Sequence, residues 1–247
     1  ERQRSKDQVN IVAITDRQVG FALAGPRSRE LLSRVVREDV SNKALPFLSL
    51  RTMDIGMVPA RIGRISFTGE LGYEIWCGMR WQRALMGSLR EAGKDLGLKL
   101  FGGRALGSLR IEKGFGSWAR EYRPIYGPEE AGLSRFLRQD GGEFIGRAAA
   151  EAAHKQGPER KLVLMSVETK DADAFGDEPI WHNGKVVGWV TSGSYGHTVK
   201  MSLVLGYVPA GIAAEKSGFE IEILGERFPA HILPAAAVDP KGERMRA

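Results

Sequence analysis

The stretch R-I-G-R-I-S-F-T-G-E-L-G-Y-E-I-W-C at 61–77 decides how the chain is organised. Ile62, Arg64 and Ser66 alternate with Gly63, Ile65 and Phe67, and Tyr73, Ile75 and Cys77 alternate with Glu74 and Trp76. Period-2 patterns on either side of a Gly-flanked turn predict a β-hairpin. Gly69 and Gly72 bracket Glu70 and Leu71, and glycine supplies the positive φ that such turns demand. Residues two apart on a strand share a face, so Glu74 and Trp76 point one way while Tyr73 and Ile75 point the other. A carboxylate beside an indole suits a flat ring that stacks on the aromatic and donates to the acid. An edge strand with its solvent face written as Glu and Trp explains the same pattern without a ligand, and on pattern alone that plainer reading is the stronger.

Downstream, Leu85, Leu89, Ala92 and Leu96 mark one face of a helix from about Trp81 to Leu96. A second, shorter helix follows between Gly103 and Gly114. Upstream, Val9–Ile14 and Val19–Leu23 read as two strands joined near Asp16. Pro26 suits the first residue of a helix running to about Val36, and D-V-S-N at 39–42 is a turn. Beyond Gly114 the chain is loop-like, with Trp118, Tyr122 and Tyr126 as anchors or as binding rings. Gly127-Pro128-Glu129 resembles a helix start, and F-I-G-R-A-A-A-E-A-A-H forms a helix to about His154.

K-Q-G-P-E-R at 155–160 is polar, carries Gly and Pro, and divides the chain into domains 1–154 and 155–247. After it only strands are expected: Leu162–Val167, Lys185–Thr191, Met201–Val208, Phe219–Leu224 and Ala230–Leu233. Asn183-Gly184 marks a tight hairpin. Short strands at close spacing imply a small closed or nearly closed barrel. The fold class is therefore α+β followed by an all-β barrel. No G-x-G-x-x-G is present, so nothing here holds FAD or NAD by the usual route.

At 247 residues the chain can bury a substantial core in two domains. No run approaches the roughly 20 apolar residues of a membrane span. Cys77 is the single cysteine, which excludes an internal disulfide, fits a reducing compartment and reads as a buried thiol. The net charge of +6 is spread along the chain. A solvated surface explains it first, an anionic small ligand second, and nucleic acid a distant third. The four histidines, His154, His182, His197 and His231, form no metal-binding spacing. Ser192 and His197 in T-S-G-S-Y-G-H are better explained by a Gly-rich barrel turn than by a nucleophile pair. The chain opens at Glu1 without Met, which suggests the interior of a longer polypeptide.

The runs G-E-L-G-Y-E at 69–74, R-A-L-G-S-L-R-I-E-K-G at 104–114 and V-T-S-G at 190–193 resemble the folate-binding aminomethyltransferase family of the glycine cleavage system. E-Y at 121–122, E-A-G-L at 130–133, F-I-G-R at 144–147, G-D-E-P-I-W at 176–181, T-S-G-S-Y-G-H at 191–197 and D-P-K-G-E-R at 239–244 resemble one branch of it. That branch is the C-terminal folate-binding half of dimethylglycine and sarcosine dehydrogenases. The ordered set starts at G-P-R-S-R-E-L-L, 25–32, and covers nearly the whole chain.

The resemblance implies a partial folate-binding core, then a distorted jelly-roll-like barrel. It implies tetrahydrofolate as cofactor and a one-carbon unit, derived from a small N-methyl amine, trapped as 5,10-methylenetetrahydrofolate. FAD would belong to a separate domain or chain. Partners would be an FAD-dependent dehydrogenase domain or a lipoyl carrier protein, with no nucleic acid and no membrane, in the cytoplasm or the mitochondrial matrix. Two other readings stay open: a stand-alone glycine-cleavage aminomethyltransferase, and a non-catalytic folate-binding or docking domain. Carried over by motif, Glu74 binds the pterin, Arg104 is the first arginine of R-x-x-L-R-x-E, and Trp118 falls where a tyrosine is common. Tyr73 and Arg110 have weaker claims. Glu70 is expected to shape the hairpin turn, Glu112 to pair with a neighbouring Arg or Lys, and Gly103 to widen the channel locally. The family's catalytic aspartate precedes the strand leading to G-P-R-S, where this sequence starts too late to contain it convincingly. Asp7 lies near that place without the motif and Asp16 reads as a turn residue, so no catalytic residue is assigned.

Overall fold

The computed structural model describes residues 10–137, 142 and 144–247. Its contacts group into two compact units, one of Glu1–Ser66, Glu70–Leu100 and Glu243–Ala247, the other of Phe67–Gly69 and Phe101–Gly242.

The first unit is an antiparallel sheet of β1 (Gln18–Ala24), β2 (Leu50–Ile55), β3 (Val58–Gly63) and β4 (Gly72–Gly78), in the order β1-β4-β3-β2. Helices α1 (Ser28–Ser33) and α2 (Gln82–Ala92) contribute to its core. One sheet face is apolar, with Leu23, Met53, Ala60, Ile62, Tyr73, Ile75 and Cys77 buried alongside Leu31, Leu32, Leu85 and Leu89. This is the period-2 face of the strands meeting the 3.6-period faces of the helices. The opposite face carries Gly20, Ala22, Arg61, Glu74 and Trp76.

The expected hairpin is present, with Ile62 opposite Ile75 and Gly63 opposite Glu74. Its connection, however, is the whole of 64–71. The strand ends at Gly63 because the fully buried Arg64 turns inward. Its guanidinium donates to Asn42 Oδ1 at 2.7 Å and to the carbonyls of Leu45, Met245 and Ala247. Gly69 has φ +83°, but Gly72 has no positive φ; instead a side chain there would meet the Leu23 carbonyl at 3.1 Å.

The expected strand over 9–14 is corrected: residues 10–14 form no strand, and Ile11 and Val12 are exposed. An alternating run needs a neighbour to pair with, and among the described residues β1 has a partner only in β4. The first helix starts at Ser28 rather than Pro26.

The second unit holds α3 (Gly103–Glu112), α4 (Arg147–Gln156) and six strands: β5 (Arg160–Val167), β6 (Pro179–His182), β7 (Lys185–Gly196), β8 (Met201–Pro209), β9 (Phe219–Ile223) and β10 (Glu226–Ile232). They close into an antiparallel barrel in the order β10-β5-β8-β7-β6-β9, as the strand spacing requires. Asn183 and Gly184 both have positive φ, the conformation of a two-residue hairpin. Met165, Val167, Ile180, Val190, Val204, Val208 and Ile221 belong to one apolar core. Leu164, Leu203 and Leu205 face the other way and pack with Ile111 of α3. Both faces of β8 are therefore buried, and this is why S-L-V-L-G-Y-V at 202–208 shows no polar alternation. Gly127-Pro128-Glu129 forms a turn rather than a helix start. The helix there begins at Arg147.

Candidate functional site

In the first unit the candidate site residue is Glu74, half-buried on the face of β4 opposite the apolar core. Burial pushes its carboxyl above the ordinary glutamate range, and no hydrogen bond or charge among the described residues pulls it back. Two residues along the same face lies Trp76, with glycines on the strands to either side. A methyl group on Gly20 would stand 3.1 Å from the indole Cδ1, and one on Gly63 would stand 3.1 Å from Cζ3. The indole thus lies down across three strands because β1 and β3 have no side chain where it rests. Tyr73 is placed on the other face, fully buried in the core beneath Arg64, whose Cζ is 5.7 Å from the ring centre. Its hydroxyl has no partner among the described residues. Glu74 and Tyr73 are neighbours in sequence, but the strand separates them. Cys77 is buried, and burial pushes its thiol pKa up.

Glu70 pairs with Arg244 at 2.7 Å. The turn role expected of Glu70 is compatible with this pair, since the residue lies in the 64–71 connection. Asp16 is exposed in a short 3₁₀ turn, Thr15–Arg17. Asp7 lies outside the described residues.

In the second unit Arg104 is exposed on the first turn of α3, with no hydrogen bond or ion pair among the described residues. Trp118 is 78% exposed on the loop after α3. The other two loop aromatics are anchors. Tyr126 stacks on Tyr207 with ring centres 3.8 Å apart, and the Tyr122 hydroxyl accepts from the Gly116 amide. A side chain at Gly103 would meet nothing within 4 Å.

The loop is centred on Glu121, whose carboxylate is completely buried. It accepts from the Ser117 amide at 2.6 Å, from the Ser192 hydroxyl and from Arg110 at 3.3 Å, while its carbonyl accepts from the Tyr207 hydroxyl. Burial raises its pKa, but these donors outweigh burial and hold the carboxyl below the ordinary range. Ser192 is thereby committed to Glu121. Arg110 also donates to the Phe115 carbonyl, which makes it part of the loop's scaffold.

Among the described residues Glu112 pairs with no neighbouring cation, contrary to expectation. It accepts from the Thr198 amide and hydroxyl and from the Val199 amide. Lys113 is taken by Asp239, both by its carboxylate and by its carbonyl. Among the described residues no group of three His, Cys, Asp or Glu converges, and no helix is long and apolar enough to cross a membrane.

The model of the GCVT N-terminal domain matches residues 1–141, and that of the glycine cleavage T-protein C-terminal barrel domain matches residues 160–239. The chain belongs to the glycine cleavage T-protein family. Within that family it is 36% identical to human mitochondrial dimethylglycine dehydrogenase over 241 residues, covering 96% of this chain and 28% of that protein. It is 40% identical over 228 residues to the 4-methylaminobutanoate oxidase (formaldehyde-forming) of Paenarthrobacter nicotinovorans, covering 92% and 27%. The aminomethyltransferase of Halothermothrix orenii is 33% identical over 207 residues, covering 84% of this chain and 57% of that one. Among solved structures, the glycine cleavage system aminomethyltransferase T of Bartonella henselae superposes with a TM-score of 0.78 at 25% identity, covering 90% of this chain and 60% of that one. The chain thus spans little more than a quarter of the dehydrogenase and oxidase relatives. The family indicated by the ordered motifs is the one these comparisons return.

Proposed function

We propose that this T-protein-family chain is a tetrahydrofolate-dependent one-carbon transfer module, as in the C-terminal region of dimethylglycine and sarcosine dehydrogenases. It would receive the one-carbon unit released when an N-methyl amine is oxidised and yield 5,10-methylenetetrahydrofolate. The oxidation, and the FAD it needs, belong to a separate domain or chain. The names of the relatives support this assignment, since they include a dimethylglycine dehydrogenase and a formaldehyde-forming oxidase.

The observation that carries the reading is Glu74 itself: a half-buried carboxyl with no partner among the described residues, beside an indole laid flat on the sheet. Protein interiors rarely leave such a group unpaired unless something else pairs with it. A pterin ring fits both needs, since its amino-pyrimidinone edge donates hydrogen bonds and its planar body stacks. Bound tetrahydrofolate supplies the amine that takes up the one-carbon unit. Glu74 would hold the donor edge, and Trp76 would cover one side of the ring from water. Arg104 and Trp118 are proposed as folate contacts of the second unit, on the grounds that both are exposed and Arg104 is unpaired among the described residues. Tyr73, buried behind the sheet, is proposed to back the strand that carries Glu74.

The test is calorimetric titration of Glu74→Gln with tetrahydrofolate. A charge-assisted hydrogen bond of this kind contributes about 1.5–3 kcal/mol, so affinity should fall roughly ten- to a hundredfold. A folded variant that binds as tightly as the parent overturns the assignment.

A further inference from the structure

Two arginines of the first unit share their hydrogen-bond acceptors, and no acidic side chain stands between them. Arg64 is completely buried, and Arg29 is half-buried on the first turn of α1. Nη2 of Arg29 donates to Asn42 Oδ1 and to the Ala247 carbonyl oxygen, both at 2.6 Å. Arg64 reaches the same two oxygens through its Nη1 and Nη2, at 2.7 Å each. Among the described residues, the Nε atoms of both arginines are buried without a hydrogen-bond partner, and neither guanidinium pairs with an Asp or Glu.

Arg64 is thus a buried cation whose further acceptors, the carbonyls of Leu45 and Met245, are neutral. Burial pushes its guanidinium below the ordinary value, and repulsion from Arg29 adds to the fall. A guanidinium nevertheless keeps its proton inside a protein. Leaving such a charge buried without a counter-charge is strongly destabilising. The two shared oxygens show where a counter-charge belongs, because a carboxylate at either one would take charge-assisted bonds from two forks at once. Ala247 also lines a cavity of about 430 Å³, together with Pro26, Glu70, Leu71 and Arg244. The position is therefore open to a small molecule.

We propose that Arg29 and Arg64 form a carboxylate-binding site at residue 247. It does not belong to the face that carries Glu74, and it does not depend on the folate reading. The carboxylate has two possible sources. Where residue 247 is the last of the chain, its own α-carboxylate fills the site; where the chain continues, a small carboxylate from solution does.

Two forms of the full chain separate the sources, one ending at Ala247 and one extended past it by Gly-Ser-Gly. The first should melt about 2–4 °C above the second. Sodium acetate should bring the extended form up to the first, and sodium chloride at equal ionic strength should not. Asn42→Asp places a carboxylate where both arginines already reach, so in the extended form it should replace the need for acetate. Arg29→Gln, at a half-buried position, should fold and weaken acetate binding by about tenfold. Equal melting of the two forms with no acetate response in either overturns the site. So does a deficit in the extended form that neither acetate nor Asn42→Asp repairs, since the loss is then steric, and so does an acetate response that survives Arg29→Gln. Equal melting with an acetate response in both forms keeps the site and assigns it to the free anion.

Discussion

Gly63 of β3 lies under the six-membered ring of Trp76, so close that a single added methyl would stand 3.1 Å from Cζ3 and 3.2 Å from Cη2. The glycine is what allows the indole to lie flat. Gly63→Ala should tip the ring off the sheet and weaken tetrahydrofolate about three- to tenfold, with little effect on folding, since alanine suits a strand better than glycine. In a double-mutant cycle, Gly63→Ala should add nothing in a Trp76→Ala background, because the glycine acts only through the indole. Additive losses in calorimetry would refute that coupling.

Glu74 makes stability depend on pH in the unusual direction. Its carboxyl is pushed up in the folded chain, so the folded state holds the proton more tightly than the unfolded one. Ionisation therefore costs stability, beginning as pH climbs past the ordinary glutamate range and completed above the raised folded value. Without ligand, Glu74→Gln should melt above the parent at neutral pH and level with it in acid. Melting curves across that range check the sign.

Glu121 behaves oppositely. Its carboxyl is held below the ordinary range, so its contribution is fully present at neutral pH. That contribution fades as pH falls past the ordinary value and through the lower folded one. Glu121→Ala leaves the Ser117 amide, Ser192 and Arg110 without their acceptor, and should cost about 3–5 kcal/mol. Urea unfolding of the variant, at neutral and at acid pH, measures both effects.

The boundary between the domains proposed for 1–154 and 155–247 is open to a simple test. α4 has no buried residue, and the segment after it carries Gly157 and Pro158. Limited proteolysis should nick within 155–160 before cutting elsewhere. Early cleavage inside 162–208 would place the boundary somewhere else.

The sequence made the elements legible wherever one face was buried and the other wet. β4, α2 and α3, and the Asn183-Gly184 hairpin, follow from periodicity and turn chemistry alone. The alternation of Glu74 and Tyr73 was legible for the same reason. What stayed hidden depended on long-range partners. Arg64 reads as a strand residue until its guanidinium finds carbonyls from Leu45 and from Met245. Glu112 and Glu121 sit in charged runs that promise local ion pairs, yet each takes its donors in part from 71 to 87 residues away. Gly20 and Gly63 were visible as residues, but a glycine facing a tryptophan across two strands requires the register, which no single strand pattern supplies.

The barrel's seam has a consequence for how the chain is made. β5 pairs with β10, so Val167 meets Ala230 across more than sixty residues of sequence. During synthesis at about 5–20 residues per second, several seconds separate the emergence of these two strands from the ribosome. Through that interval the outer edge of β5 stands unpaired, with Val163, Met165 and Val167 awaiting a core that is not yet closed. A newborn chain is most exposed to strand-to-strand aggregation in that window. Slower translation of the last strands should lower the soluble yield without changing any property of the finished protein.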